Sequence, residues 1–235
     1  MNEDSFISAE DLQLFVVADG MGGHAAGEVA ARVAVESIEN FIRRSHETTD
    51  FSWPYGIDPT LSYEANRLKT AVSLANRRIN RLAENHDDYL GMGTTVVCAL
   101  LSNGQLIAAH VGDSRLYLCA ANALIQLTQD DSWAATVLGS KEANSGSHAT
   151  RHVLTNVLGA RPDTQVHLLE RELFGEEILL LCSDGLHGSV PHNTLRDVMA
   201  SNLELPALAQ SLVSTALEHG SRDNITALVV RCSSR

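Results

Sequence analysis

Apolar positions along the chain come in two textures, short β-branched runs and longer stripes spaced alternately by three and four. Leu12-Gln-Leu-Phe-Val-Val-Ala18 has the first texture and predicts a strand that stops at Asp19-Gly20. From Ala26 to Arg44 the second takes over through Ala30, Val33, Ala34, Ile38, Phe41 and Ile42, and predicts a helix. A polar stretch, Ser45 to Pro59, carries turn signals at Trp53-Pro54 and Asp58-Pro59. Ala65, Leu68, Val72, Ala75, Ile79 and Leu82 then predict a second helix, with Arg, Lys and Asn between them. That stripe is too short for a coiled-coil seam and is read as core-facing.

From Gly93 to Leu127 the texture returns to strands. Thr94–Leu101, Gln105–Val111, Arg115–Cys119 and Leu124–Leu127 are separated by Ser-Asn-Gly, Gly-Asp-Ser and Ala-Asn, which predicts an antiparallel meander with short turns. Residues Asp130 to Leu158 contain the polar tract Ser140–His148 and read as a surface excursion with a short helix. Strands are expected again at Thr164–Leu169, Glu177–Cys182 and Ile225–Arg231, with an amphipathic helix through Leu205, Leu208, Leu212 and Ala216 before the last. No internal repeat or linker interrupts the pattern, so residues 1–235 are expected to form one domain, with a flap region at about 130–158.

Composition narrows the class. With 44% hydrophobic and 20% charged residues the chain is an ordinary globular one. Its formal net charge of −12 argues against nucleic acid as a partner, because that affinity rests on Lys and Arg neutralising phosphates. It leaves phosphate chemistry open, since bound cations can carry the positive charge. Cys98, Cys119, Cys182 and Cys232 form no C-x-x-C pair, and are expected to be small buried hydrophobes in a reducing compartment. No apolar run is long enough for a membrane segment and the N-terminus is not signal-like, so a cytoplasmic location is expected.

The informative pattern is where the aspartates fall. Leu12–Ala18 ends in Asp19-Gly20, Leu106–Val111 in Gly112-Asp113, and Ile178–Cys182 in Ser183-Asp184-Gly185, while Asp223-Asn224 precedes the final strand. Any one of these is explained by turn chemistry, because Asp bonds its own backbone and Gly tolerates positive φ. Together they place several carboxylates at one rim of the core. Such a cluster repels itself and loses hydration, so it either protonates or binds cations, and hard ions such as Mg²⁺ and Mn²⁺ prefer oxygen ligands. Two ions held this way could clamp a phosphate and generate hydroxide at neutral pH. The segment Gly20–Gly27 lacks the ending of a P-loop, and Ala25 breaks the dinucleotide fingerprint. Leu181-Cys-Ser-Asp-Gly185 is not a nucleophile elbow, so nothing marks Ser183 as a nucleophile.

Seven segments then match one family in order and spacing: Asn2-Glu-Asp-Ser5, Val17-Ala-Asp-Gly-Met-Gly-Gly-His-Ala-Ala-Gly-Glu28, Gly91-Met-Gly-Thr-Thr95, His110-Val-Gly-Asp-Ser-Arg115, Arg151-His-Val-Leu-Thr155, Leu181-Cys-Ser-Asp-Gly185 and Arg222-Asp-Asn-Ile-Thr226. Over essentially its whole length the chain resembles the metal-dependent protein phosphatases of the protein phosphatase 2C type, in their compact bacterial branch. The resemblance implies an α+β fold, a four-layer α-β-β-α sandwich of two antiparallel sheets flanked by helices. It implies a protein-serine/threonine phosphatase with two Mn²⁺ or Mg²⁺ ions and a third, weaker one. Carried over by position, Asp19 bridges the two metals, Asp184 and Asp223 complete the first site, and the Gly20 carbonyl ligates the second. Glu3, with Asp4, holds metal-bound waters, and Asp113 ligates the third ion together with Asp184. A metal-bridging water attacks phosphorus and no phosphoenzyme forms. Asn224 orients the nucleophile or phosphate. His24 is the candidate general acid, or else an exposed loop histidine with a helix-cap role; the other histidines, His110 included, are read as structural.

The implied partner is a phosphorylated protein, the substrate of a Ser/Thr kinase, acted on by a monomer, and the resemblance extends to a group associated with type VI secretion. Two departures stand out. The family usually carries an Arg three residues before Asn-Glu-Asp that binds substrate phosphate; here Met1 directly precedes Asn2, so either the chain as given is truncated or its start mis-set, or another cation such as Arg151, or none, does that job. The flap begins Asp130-Asp131-Ser132 where Asp-His-Ser is common. Two further readings remain open from the residues alone: another two-metal phosphoester hydrolase, and a non-catalytic phosphatase-like binding module.

Overall fold

A computed structural model describes residues 1–23, 26–47, 53–138 and 153–233. Among the described residues, ten strands form two antiparallel sheets. The first runs β1 (Asp4–Ala9), β2 (Leu14–Met21), β4 (Val96–Ser102), β5 (Gln105–Val111), β8 (His167–Glu172), with the two-residue β3 (Gly93–Thr94) also paired to β2. The second runs β10 (Ala227–Ser233), β9 (Glu176–Cys182), β6 (Arg115–Ala120), β7 (Ala123–Gln126).

Alternation along the strands separates three apolar layers. Leu14, Val16 and Ala18 of β2 pack with Val33, Ala34 and Ile38 of α1 (Ala26–Glu47) and with Leu68, Val72 and Ile79 of α2 (Tyr63–Asn85). Phe15 and Val17 point the other way, into a core between the sheets with Val97, Leu116, Leu179 and Leu181. Leu180 and Cys182 of β9 face a third layer with Leu195, Leu208 and Leu212. These come from α5 (His192–Met199) and α6 (Leu205–Glu218). The nearly continuous apolar runs in β2 and β9 follow from this, because both strands are covered on both faces. The result is the expected four-layer α-β-β-α sandwich.

The meander expected over Gly93–Leu127 is two hairpins in two different sheets. Asn103-Gly104 and Ala121-Asn122 are tight two-residue turns with both residues at positive φ, and they close β4–β5 and β6–β7. Gly112–Ser114 instead carries the chain from the first sheet to the second. Gly112 has φ +95°, and a Cβ there would lie 2.7 Å from the Thr95 side chain, so the crossing admits only glycine. Sequence texture cannot separate a hairpin from a crossover of similar length, and the turn-like Gly-Asp-Ser hid the change of sheet.

Further elements were not expected from the pattern. They are β1, a 3₁₀ turn at Asp87–Tyr89, the single helical turn α4 (Asp184–His187), and α5. The short helix expected within Asp130–Leu158 is α3 (Trp133–Leu138), while the polar tract Ser140–His148 lies outside the described residues. Paired bonds between Thr94 and Leu158 (3.1 and 2.9 Å) hold the far end of that stretch to β3. The four cysteines are free and buried, as read from their apolar settings. Among the described residues, no helix is long and apolar enough to cross a membrane.

Candidate metal centre

The β1–β2 register sets Asp4 directly opposite Asp19. β2 runs past the expected stop at Asp19-Gly20 to Met21, so Asp19 sits inside the strand, two residues before its end, with its backbone fully used. Its carbonyl accepts from Thr95 N and Thr94 Oγ1, both at 2.8 Å, and its N–H donates to Thr95 Oγ1 at 3.2 Å. Next to it, Gly20 N donates to the Glu3 carbonyl (3.1 Å). A Cβ on Gly20 would fall 2.0 Å from the Gly27 carbonyl oxygen, so the absence of a side chain lets the start of α1 close on the strand end. The Glu3 carboxylate lies against Gly27 in the same place.

The second sheet contributes from the other side. After β9, Ser183 leads into α4, where a Cβ on Gly185 would meet the Asn224 carbonyl oxygen at 1.9 Å. That contact brings Asp184 and the Asp223-Asn224 segment together. The two sheets are then joined through β1. Asp4 Oδ2 accepts from Ser183 Oγ (2.8 Å) and Thr226 Oγ1 (2.6 Å), and Glu3 N donates to Asn224 Oδ1 (2.7 Å). Ser183 is thereby a donor to a structural carboxylate.

Asp113 is buried at the β5–β6 crossing, and its carbonyl is hydrogen-bonded to His187 Nε2 (3.0 Å). The preceding Gly112 is bracketed by Asp131. Gly112 N donates to Asp131 Oδ2 (3.0 Å) and Asp131 N donates to the Gly112 carbonyl (3.0 Å). Asp131 also bonds His167 Nε2 (2.9 Å) and accepts from Asn156 Nδ2 (2.8 Å), tying the crossing to β8 and to the return of the flap.

Burial and mutual repulsion shape the electrostatics. The Asp19 carboxyl is pushed up to about 9, first by loss of hydration and then by the charges of Asp4, Asp184, Asp113 and Asp223. Asp113 is pushed up to about 7 by burial, then by Asp184 and Asp130, with Arg115 opposing. Burial also raises Asp4; the Thr226 and Ser183 hydrogen bonds oppose this, while Asp184 and Asp223 add to it. These acids cannot all ionise together unless positive charge joins them.

The residues fit a hard divalent cation. The donor set is all oxygen, and Asp4 Oδ1 is buried without a hydrogen-bond partner among the described residues. Within the same residues, no three His, Cys, Asp or Glu side chains are already drawn up as a ligand set. Mg²⁺ and Mn²⁺ retain several waters rather than demanding an all-protein cage.

The structure thus gathers Glu3, Asp19, Gly20, Asp184 and Asp223 at one rim, with Asp113 beside it. Asn224 is present too, and its side-chain oxygen accepts from the Glu3 N–H (2.7 Å). His24 and Arg151 lie outside the described residues. Sequence reasoning missed the two-sheet clamp made by Asp4 and the brace made by Asp131. The clamping role of Asp4 could have been approached by registering Asn2–Ser5 against the strand that carries Asp19. Asp131 was visible only as an odd second acid before a helix.

Three comparisons bear on this arrangement. The family model described as protein phosphatase 2C matches residues 1–220. The serine/threonine phosphatase stp of Listeria welshimeri is 34% identical over 235 aligned residues, covering 97% of this chain and 89% of that one. Among solved structures, the catalytic domain of the serine threonine protein phosphatase PstP in complex with 2 manganese ions superposes with a TM-score of 0.80 at 32% identity, over 98% of this chain and 91% of that one. PppA, described as a key regulatory component of T6SS in Pseudomonas aeruginosa, gives a TM-score of 0.80 at 30% identity, over 97% and 90%.

Proposed function

The chain belongs to the protein phosphatase 2C family, and on that premise we propose that it hydrolyses phosphoserine and phosphothreonine in proteins, with Mn²⁺ or Mg²⁺ held at the carboxylate rim. One observation carries the reading: a buried carboxylate oxygen, Asp4 Oδ1, has no hydrogen-bond partner among the described residues and sits in a field of like charges from Asp184 and Asp223. Manganese in the similar PstP domain supports the choice of ion.

In this reading Asp19, Asp184 and Asp223 hold the ions with the Gly20 carbonyl. Glu3 and Asp4 position their waters, and Asp113 with Asp184 serves a third ion. When bound, the ions supply Lewis acidity, acidifying a water and neutralising phosphoryl oxygens. The chain's own part is preorganisation. Thr94 and Thr95 fix Asp19, Ser183 and Thr226 fix Asp4, and the Glu3–Asn224 bond fixes the N-terminal segment across the sheets. Asn224 is proposed to orient the nucleophile or the phosphate, and His24 remains the proposed proton donor to the leaving oxygen.

We further propose that residues 1–235 are one catalytic domain, acting in the cytoplasm as a monomer and opposing a Ser/Thr kinase. Similarity to PppA supports a setting in type VI secretion. Phosphate release from a phosphothreonine peptide tests the main reading. It should require Mn²⁺ or Mg²⁺ and stop with a chelator. Hydrolysis of bis(p-nitrophenyl) phosphate in preference to the peptide would favour a phosphodiesterase instead, and no release from either would favour a binding module.

A further inference from the structure

Helices α1 and α2 cover the first sheet with one face each, and their outer faces meet in a groove of about 460 Å³. Each helix contributes a stripe at helical spacing: Ser37, Asn40, Phe41 and Arg44 from α1, and Leu74, Arg77, Arg78, Arg81, Leu82 and Asn85 from α2. Half-buried Phe41, Leu74 and Leu82 form an apolar floor. Exposed Arg44, Arg77, Arg78 and Arg81 line it, and among the described residues no Asp or Glu does.

This distribution runs against the rest of the molecule. The chain has 29 acidic residues against 17 Lys and Arg, yet four of those 17 converge here. Elsewhere on the same two helices, Arg43 is paired with Glu39 and Asp11, and Arg67 with Glu64. Arg77, Arg78 and Arg81 make no ion pair among the described residues, although they stand three and four apart, where like charges repel. An ordinary solvated helix face interleaves the two signs. A floor of apolar side chains under the guanidinium groups of Arg77, Arg78 and Arg81 is instead complementary to a ligand with acid groups around an apolar centre.

We propose that the α1–α2 groove is a docking site for an acidic segment of a partner protein, anchored by an apolar side chain on Phe41, Leu74 and Leu82 and held by carboxylates on Arg77, Arg78 and Arg81. The forked guanidinium suits carboxylates, and the exposed setting keeps the arginines' cost of desolvation low. A single phosphate is a poorer match. The arginines are spread along the stripes of two helices rather than gathered around one buried point, and a bare anion leaves the apolar floor unused.

The test is fluorescence anisotropy with a fluorescein-labelled peptide of Asp and Glu around a central pair of leucines, in chelator so that the carboxylate rim plays no part. The wild-type protein should bind it saturably and more weakly as salt is raised. The exposed double variant Arg77→Ala/Arg81→Ala should bind at least tenfold more weakly, with its circular dichroism and its metal-dependent hydrolysis of p-nitrophenyl phosphate unchanged. Equal binding by the double variant would overturn the site. Equal binding of a matched peptide lacking the leucines would overturn the apolar anchor, and full competition by a phosphothreonine peptide of neutral sequence would make this a phosphate site instead. Loss of phosphatase activity in the wild type would bear only on the rim, because the anisotropy is read without metal.

Discussion

Asp4 on β1 stands directly across from Asp19 on β2, and a one-residue slip of that register would turn the Asp4 side chain to the opposite face of the sheet. The register is held from outside the strand pair. Ser183 and Thr226 from the second sheet both donate to Asp4, so two facing carboxylates are maintained against their repulsion by hydrogen bonds that cross the sandwich. A fold optimised only for stability would not place two partly buried acids there.

Asp4→Asn should therefore separate stability from activity. Removing one charge relieves the cluster, so the chelated protein should be at least as stable as wild type. Metal affinity and phosphatase activity should fall about 10–100-fold, the usual loss when an orienting partner of a metal ligand is changed. Thermal unfolding in chelator and Mn²⁺ titration of activity check the two halves.

Stability of the metal-stripped protein should fall as pH rises. Asp19 holds its proton in the fold up to about pH 9, against an ordinary carboxyl value of 3.8. Between those values the unfolded chain binds fewer protons than the native one, so each rise in pH favours unfolding, by at most about 1.4 kcal/mol per unit for one group. In chelator, Tm should be lower at pH 8.5 than at pH 5.5. Mn²⁺ should raise Tm more at the higher pH, where the ligands give up their protons more readily. A Tm that rises with pH in chelator would count against the buried cluster.

Asp131→Ala should destabilise the protein by about 2–3 kcal/mol, measured by urea unfolding. It removes the acceptor for Gly112 N, His167 and Asn156 at a largely buried position; a single bond to a charged acceptor contributes about 1.5–3 kcal/mol, and the three share one carboxylate and do not add. The same variant should lower affinity for the ion proposed at Asp113 while sparing the ions proposed at Asp19.

Gly185→Ala tests the junction that brings Asp184 to Asp223. The new Cβ would overlap the Asn224 carbonyl, so the backbone must shift, at a cost of about 1–3 kcal/mol. Activity should fall further than stability requires, because the shift moves Asp184 relative to Asp223. Full activity in a folded Gly185→Ala protein would show that this junction does not set the site.

What could be read from sequence followed physical periodicity. The stripe Ala65–Leu82 and the runs ending at Ala18 and Cys182 are dictated by burial on one or both faces, and they appear where expected. Carboxylates at strand ends also betrayed the rim, since an acid next to an apolar run must have a reason to be there. Asp4's bonds to Ser183 and Thr226 span about the whole chain, and no local pattern encodes them. The change of sheet at Gly112–Ser114 was hidden because a glycine-led turn serves a hairpin and a crossover alike. The arginine groove was hidden for another reason. Each helix shows an ordinary polar face, and the excess of one sign emerges only when the two are set side by side.

The central claim is that the Asp19–Asp184–Asp223 rim binds the cations that hydrolyse phosphothreonine. Phosphate release from a phosphothreonine peptide across an Mn²⁺ titration, for wild type, Asp19→Ala and Asp184→Ala, tests it most directly. The wild type should show saturable, chelator-sensitive turnover. Each variant should keep its circular dichroism and lose activity by about a hundredfold or more. Turnover near the wild-type level in both folded variants would contradict the assignment.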